Sequence, residues 1–434
     1  MEHYDVLIVG GGHAGAQTAI ALRKHRFSGS VAILGKEGDL PYDRPPLSKE
    51  YLSGQVEFAS MLLRPAEFWS EQGIDLHLGH EVIEVDAAAG SVMCANGARF
   101  AFGSLVWAAG GEARALSCEG ADAQGIHVIR TRAAVDRLKA ELLQASRIVI
   151  VGGGYIGLET AAVLADMGKR VVVVEEQERV LARVAGEAVS RFFEAEHRGR
   201  GVDLRLASKV ARIHQNAGQA AGVEVAGGDM IECDLVIVGV GIVPAVAPLM
   251  CAGAAAGTTG VAVDGTCRTS LPNVYALGDC AEHPNPFWET GNIRLESLQN
   301  ANEQAEIVAR SVMGEQASYD AVPWFWSNQY DLRLQTVGLS AGHDACVLRG
   351  DQGTRSFSLV YLKNGRVIAL DCINATKDFI QGKALVTNRI APDLDRLADA
   401  STPLRELART ATRTGAPLRP DRGGALIQPE LKTH

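Results

Sequence analysis

Two glycine triplets of one spacing, Gly10-x-Gly12-x-x-Gly15 and Gly152-x-Gly154-x-x-Gly157, carry the clearest chemistry in this chain. Each follows an apolar, β-branched run, Val6 to Val9 and Ile148 to Val151, and each opens an alanine-rich helical pattern, Ala14 to Leu22 and Ile156 to Met167. Such a strand, turn and helix lets backbone amides at a helix N-terminus approach a pyrophosphate. An isolated triplet can be an ordinary turn, but the second apolar runs, Val31 to Leu34 and Val171 to Val174, complete a βαβ context twice. Two dinucleotides are expected in one chain, which implies electron traffic between them.

An acidic residue about 20 positions beyond such a triplet accepts the ribose hydroxyls of the nucleotide. Glu175 fills that position in the second site, with Glu176 and Gln177 beside it and no Arg or Lys to meet a 2′-phosphate, so NADH is favoured over NADPH. In the first site the matching residue is Gly35, followed by Lys36 and Glu37, which leaves the ribose contact there open.

Other chemistry is excluded by composition. The eight cysteines, Cys94, Cys118, Cys233, Cys251, Cys267, Cys280, Cys346 and Cys372, form no C-x-x-C pair and no metal-ligand or cluster spacing, so they are expected to be reduced structural thiols with no metal bound. A net charge of −9 argues against nucleic acid as a partner. No run approaches the ~18 apolar residues of a membrane span, and the first strand begins by Asp5 without room for a signal peptide, so no membrane and a cytoplasmic location are expected.

These residues need a scaffold, and 434 residues are enough for two to three domains. Residues 1 to about 111 read as a first nucleotide unit ending in the Leu105 to Gly111 strand and turn. Residues about 112 to 240 read as a second, closed by the parallel run Asp234 to Gly241. Val274 to Leu277 then forms a strand meeting a Gly-Asp turn, where Asp279 could cap a following helix or bind a ligand hydroxyl. From about 319 the pattern changes to aromatic-rich strands, with Lys363-Asn-Gly-Arg366 as a hairpin signal and a helix or two after it. Arg405, Arg409 and Arg413 share one helical face, read first as a solvated face and second as a docking stripe for an acidic partner. Residues 413–434, rich in Gly, Pro and Arg, read as a flexible tail.

Taken in order, Val9-Gly-Gly-Gly-His-Ala-Gly15, Arg44-Pro-Pro-Leu-Ser-Lys49, Gly152-Gly-Gly-Tyr-Ile-Gly-Leu-Glu159, Tyr275-Ala-Leu-Gly-Asp279, Glu296-Ser-Leu-Gln-Asn300 and Trp324-Phe-Trp-Ser-Asn-Gln329 resemble the NADH-dependent FAD-containing ferredoxin reductases of bacterial oxygenase systems. The resemblance covers nearly the whole chain. It implies an α/β fold of two Rossmann-like, glutathione-reductase-like dinucleotide domains plus a small α+β C-terminal domain. The FAD domain would be split between 1–111 and 241–318, with NADH bound by 112–240 and the C-terminal domain at 319–412.

The resemblance also implies residue roles. FAD would be held by Gly10, Gly12, His13, Ala14, Gly15, Lys36, Glu37, Arg44, Lys49, Val82, Ala109, Gly110, Arg130, Gly278, Asp279, Glu296, Ser297, Leu298 and Trp326. NADH would meet Gly152, Gly154, Tyr155, Ile156, Gly157, Glu159, Glu175, Arg183, Gly239 and Gly241. Lys49, Glu159 and Trp326 would serve catalysis, the first two facing each other across flavin and nicotinamide, where a cation stabilises anionic reduced flavin. Without the surrounding motifs, Lys49 would read as a surface lysine and Glu159 as a helix-start carboxylate, and Trp324 and Trp326 as core aromatics. Two departures stand out: Ala109 replaces the usual Thr of an Ala-Thr-Gly turn, and Asn328 the usual Asp of Trp-Ser-Asp-Gln.

The expected activity is hydride transfer from NADH to FAD, followed by single-electron delivery to a [2Fe-2S] ferredoxin that feeds an oxygenase. The alternatives are a rubredoxin or monodehydroascorbate-type reductase, or a flavoprotein similar to apoptosis-inducing factor whose main task is binding.

Overall fold

The computed structural model describes the backbone of residues 1–414 and the side chains of residues 1–409. The expected tail, 413–434, therefore lies outside the described residues except for the last two backbone positions of the final helix, and the side chain of Arg413 lies outside them too. The chain forms two compact units. One comprises residues 1–46, 56–112 and 242–323, and the other residues 47–55, 113–241 and 324 onward.

The first unit is built on a seven-stranded sheet. The strand Glu2–Val9 lies between Val31–Gly35 and Arg99–Trp107, parallel to both, with Val9 in register with Leu34 and Trp107. Ile74–Leu78 extends the sheet in parallel beyond Val31–Gly35, and Val274–Ala276 pairs in parallel with the far end of Arg99–Trp107. Val6, Leu7, Ile8, Ile33 and Leu34 are fully buried, as the near-continuous apolar runs of a sheet covered on both faces require. On one face the helices His13–Lys24 and Leu298–Val312 meet through Ala16, Ala19, Ala301, Ala305 and Ala309, side chains small enough for close packing. On the other face Trp107 is buried against Val92, Leu249 and Val261, and its indole N–H donates to the Ala245 carbonyl at 2.7 Å.

In the second unit, the parallel sheet runs Asp203–Arg205, Arg170–Val174, Arg147–Val151, Leu235–Val238 and Ile126–Val128. A three-stranded antiparallel sheet, Val210–Asn216, Gln219–Val225 and Met230–Glu232, covers part of it through Val223 and Ile213. A five-stranded antiparallel sheet follows in the spatial order Trp324–Gln329, Leu332–Gly338, Arg366–Ile373, Ser356–Lys363 and Ala345–Asp351. Its Asn364-Gly365 turn has both residues at positive φ, 51° and 70°, which matches the right-handed twist of the flanking strands. The helices Thr376–Thr387 and Leu394–Ala398 pack on it, and Leu404–Thr414 packs against both of them. Arg349, 2% exposed, ties them down: its guanidinium donates to Asp378 and to the carbonyls of Leu397, Asp399, Ala400 and Thr402.

The fold class is the expected one, α/β with two dinucleotide-type sheets, the first extended by the antiparallel strands Val82–Asp86 and Ser91–Cys94, and a small C-terminal α+β domain. One local expectation is corrected. After Val274–Ala276 the chain makes a single 3-10 turn, Gly278–Cys280, and enters the strand Ala281–Pro284, so Asp279 caps no helix. Among the described residues no helix is long and apolar enough to cross a membrane.

Candidate functional site

In the first unit the glycine turn is shaped by close backbone approach. Gly10 has φ +120°, and a Cβ there would lie 2.2 Å from the Ala108 carbonyl oxygen; one on Gly15 would lie 2.0 Å from the Gly10 oxygen. Only glycine permits both contacts. The helix His13–Lys24 starts from Gly12 with no side-chain cap, so its first amides have no side-chain acceptor. Arg44 faces this turn: a Cβ on Gly12 would sit 3.8 Å from its guanidinium, which is held by Glu37 at 2.5 Å and by the ring of Tyr42 at 5.2 Å. Gly278 closes the other side: its amide donates to Gln304 Oε1 at 2.7 Å, and a Cβ there would lie 3.2 Å from the Ala14 Cβ. Uncapped helix amides opposed by a guanidinium suit the pyrophosphate of a dinucleotide.

The second unit repeats the turn. Gly152 has φ +109° with a Cβ position 2.5 Å from the Gly239 oxygen, and the Gly157 Cβ position is 2.0 Å from the Gly152 oxygen. Gly154 starts the helix Tyr155–Asp166, again with no side-chain cap, and no heavy atom lies within 4 Å of its Cβ position. Glu175 stands beside the turn, its two carboxylate oxygens accepting the amides of Gly153 at 2.6 Å and Gln177 at 2.8 Å. A carboxylate held this way keeps further acceptor capacity for a ribose diol. Ile156 is 43% exposed on the first helical turn, Arg183 is exposed, and Tyr155 stacks on Phe325 at 4.5 Å.

The same unit holds Lys49 and Glu159 as a buried ion pair, Nζ to Oε2 2.6 Å, with side-chain exposures of only 13% and 6%. Ser48 Oγ donates to the same carboxylate oxygen at 2.7 Å, and Ser327 Oγ donates to Oε1 at 2.7 Å. Neither bland alternative describes this: the lysine is not on the surface, and Glu159 lies beyond the first turn of its helix. Burying both charges is tolerable because their hydrogen-bonding capacity is taken up around them. Trp326 is half-buried, 5.7 Å from Trp324 and 6.3 Å from Phe325.

The remaining expected residues divide. Ala109 and Gly110 form the turn beside Gly10, and the Gly110 carbonyl accepts the Ala245 amide at 2.9 Å. Ser297 caps the helix that Leu298 begins by accepting from the Asn300 amide, and Glu296 pairs with Arg294 at 2.7 Å. Val82 is buried in the strand Val82–Asp86. Lys36 is paired with Glu81 and Glu112 on an exposed face rather than with Glu37 and Arg44. His13 Nδ1 lies 3.2 Å from Asp43, Arg130 falls in the second unit, and Gly241 lies at the exposed end of the turn after Leu235–Val238. Asn328 is exposed on its strand, opposite Arg333, while Ser327 and Gln329 point to the buried face. Arg405 and Arg409 are exposed on a helix whose Leu404 and Leu407 are buried. Sequence reasoning missed Ser48 and Ser327 as partners of Glu159; both stand inside quoted motifs, and strand alternation would have put Ser327 and Gln329 on one face.

Residues 4–305 match the family model for pyridine nucleotide-disulphide oxidoreductases, and residues 324–408 match a reductase C-terminal model. The chain is 57% identical over 408 residues to the 5,5′-dehydrodivanillate O-demethylase ferredoxin reductase subunit of Sphingobium sp. (strain NBRC 103272 / SYK-6), covering 94% of this chain and 99% of that one. It is 58% identical over 385 residues to a ferredoxin–NAD(P)(+) reductase of Sphingomonas sp, covering 88% and 93%. Among solved structures it resembles the covalent putidaredoxin reductase–putidaredoxin complex with a TM-score of 0.90 at 33% identity, covering 95% of this chain and 99% of that one.

Proposed function

The chain belongs to the pyridine nucleotide-disulphide oxidoreductase family, and from that premise we propose that it is an FAD-dependent ferredoxin reductase. It takes a hydride from NADH and passes electrons singly to a [2Fe-2S] ferredoxin that serves an oxygenase. The observation that carries this reading is the duplicated glycine turn, with the same interlocked backbone in both places and a ribose-type carboxylate in the second. The acceptor follows from relatives whose names place them with ferredoxins and oxygenases.

FAD, when bound, supplies the conversion between a two-electron donor and a one-electron acceptor. The chain's own residues do the rest. Uncapped amides after Gly12, with Arg44 opposite, would hold the FAD pyrophosphate, and those after Gly154 would hold that of NADH. Glu175 accepts the ribose hydroxyls and repels a 2′-phosphate, so NADH is used in preference to NADPH. Lys49 would supply the positive charge that favours the electron-rich form of the flavin, its ammonium fixed by one Glu159 oxygen with Ser48 bonded to both. Trp326 contributes an aromatic face at the electron-transfer site. The protein is cytoplasmic.

Anaerobic stopped-flow mixing of the flavin-loaded protein with NADH or NADPH, followed by an oxidised two-iron ferredoxin, tests this. NADH-selective bleaching and then reoxidation by the ferredoxin is the expected result. Bleaching with transfer only to rubredoxin or to a small organic acceptor overturns the acceptor assignment, and no bleaching overturns the enzyme.

A further inference from the structure

Glu159 is the end point of a chain of buried polar side chains that the reaction scheme above does not use. Ser327 Oγ lies 2.7 Å from Glu159 Oε1; Gln329 Nε2 lies 3.3 Å from Ser327 Oγ; His197 Nε2 lies 2.9 Å from Gln329 Oε1; and Tyr330 OH lies 3.1 Å from His197 Nδ1. Ser327, Gln329 and His197 are each no more than 1% exposed, and they come from separate elements, the strand Trp324–Gln329 and the helix Glu187–Gly199.

The polarity of the chain follows from its end. An ionised carboxylate only accepts, so Ser327 must give its single proton to Glu159. Ser327 can then only accept, which obliges Gln329 to present its NH2 to the serine and its carbonyl oxygen to His197. His197 must therefore carry its proton on Nε2 and accept at Nδ1, which the Tyr330 hydroxyl satisfies. Burial pushes the His197 pKa down to about 4, which keeps the ring neutral as this pattern requires. Tyr330 adds an independent sign. It sits at φ +56°, a region costly for a bulky side chain, and Arg200 stacks on its ring at 4.2 Å.

We propose that Tyr330, His197, Gln329 and Ser327 form a one-way donor chain that fixes the carboxylate of Glu159, and through it Lys49, in the orientation used for hydride transfer. They are positioning residues, and the proposal rests on the NADH-oxidising reading above. Ser48 and Lys49 occupy one carboxylate oxygen and Ser327 the other, so loss of the chain frees the carboxylate to turn about its own axis while the ion pair survives.

The flavin-loaded protein labelled with 15N-histidine reads the chain directly. The resonance that disappears in H197Q is expected to be the neutral Nε2–H tautomer at neutral pH. An Nδ1–H tautomer or an imidazolium overturns the proposal, because Gln329 would have to reverse and Ser327 would then donate to it instead of to Glu159. In stopped-flow reduction by NADH, S327A is expected to lower the saturating rate about tenfold with the apparent Kd for NADH unchanged within about twofold, and S327T to restore the rate. An effect on Kd alone, an unchanged rate, or an S327T as slow as S327A overturns it. A wild-type flavin that NADH leaves unbleached removes the parent reading and this one together, whereas failure of the tautomer or of the serine pair leaves the parent reading standing.

Discussion

The two glycine turns share one backbone and differ in the side chains set around it. In both, a Cβ on the first glycine would strike a neighbouring strand's carbonyl, a Cβ on the third would lie 2.0 Å from the first glycine's oxygen, and the helix opens without a side-chain cap. At the end of the next strand they part. Gly35 packs against Gly11, whereas Glu175 accepts the Gly153 amide, and the acid two positions beyond Gly35, Glu37, accepts from Arg44 and Tyr42. On the reading proposed above, the backbone half of a dinucleotide site is generic and the tip of the second strand selects the nucleotide.

The largest test of this comparison puts the same side chain into both turns. Gly15→Val is expected to abolish flavin retention, and Gly157→Val to leave flavin bound while abolishing bleaching by NADH, since each forces backbone apart at a 2.0 Å contact. Flavin absorbance per mole of protein and stopped-flow bleaching read the two losses, and loss of flavin in both variants would break the idea that the turns serve different nucleotides. Next in size, Lys49→Met should slow flavin reduction on the order of 10²-fold while both nucleotides still bind, which separates chemistry from either turn. Glu175→Arg should then raise the NADPH-to-NADH ratio of kcat/KM by about 10- to 100-fold; an unchanged ratio would mean that specificity lies elsewhere.

The smallest effect concerns a prop found beside the second turn. Gly186, which starts the helix Glu187–Gly199, donates its amide to Tyr361 OH at 3.1 Å, and Tyr361 donates to the buried Asp371 at 2.6 Å. Burial raises the Asp371 carboxyl to about 6 despite the Tyr361 hydrogen bond. The folded state therefore holds this proton more tightly than the unfolded chain, whose carboxylate titrates near ~4. Its contribution to stability is full below about pH 4 and is lost as pH rises through about 6. Urea midpoints measured from pH 4 to 7.5 should fall with rising pH more steeply for wild type than for D371N, and parallel curves would refute the assignment.

What the sequence made legible was local. Apolar β-branched runs bounded by glycines located the strands Glu2–Val9 and Arg147–Val151, and Asn364-Gly365 located a hairpin, because each depends only on neighbours along the chain. The strand Ala345–Asp351 and the antiparallel Val210–Glu232 sheet were missed, since mixed polar residues such as Arg349 and Arg212 hide the alternation. Lys49 and Glu159 came from a family resemblance, and nothing in their spacing announces a 2.6 Å pair between residues 110 positions apart. Their serine partners stood inside the motifs, and alternation could place Ser327 on a face with Gln329, but only the fold shows which group a hydroxyl meets there. Lys36, adjacent in sequence to Glu37, turns to an exposed face with Glu81 and Glu112, a pairing that its neighbours along the chain do not announce.

Arg349 gives the C-terminal domain a particular way of coming apart. One guanidinium, 2% exposed, is bonded to a carboxylate on the helix Thr376–Thr387 and to four carbonyls between Leu397 and Thr402. Those carbonyls cannot be rehydrated singly, because releasing any of them leaves the same buried cation short of acceptors. The segment Leu394–Thr402 is therefore bolted rather than zipped to its sheet, and its choice is between fully seated and wholly detached.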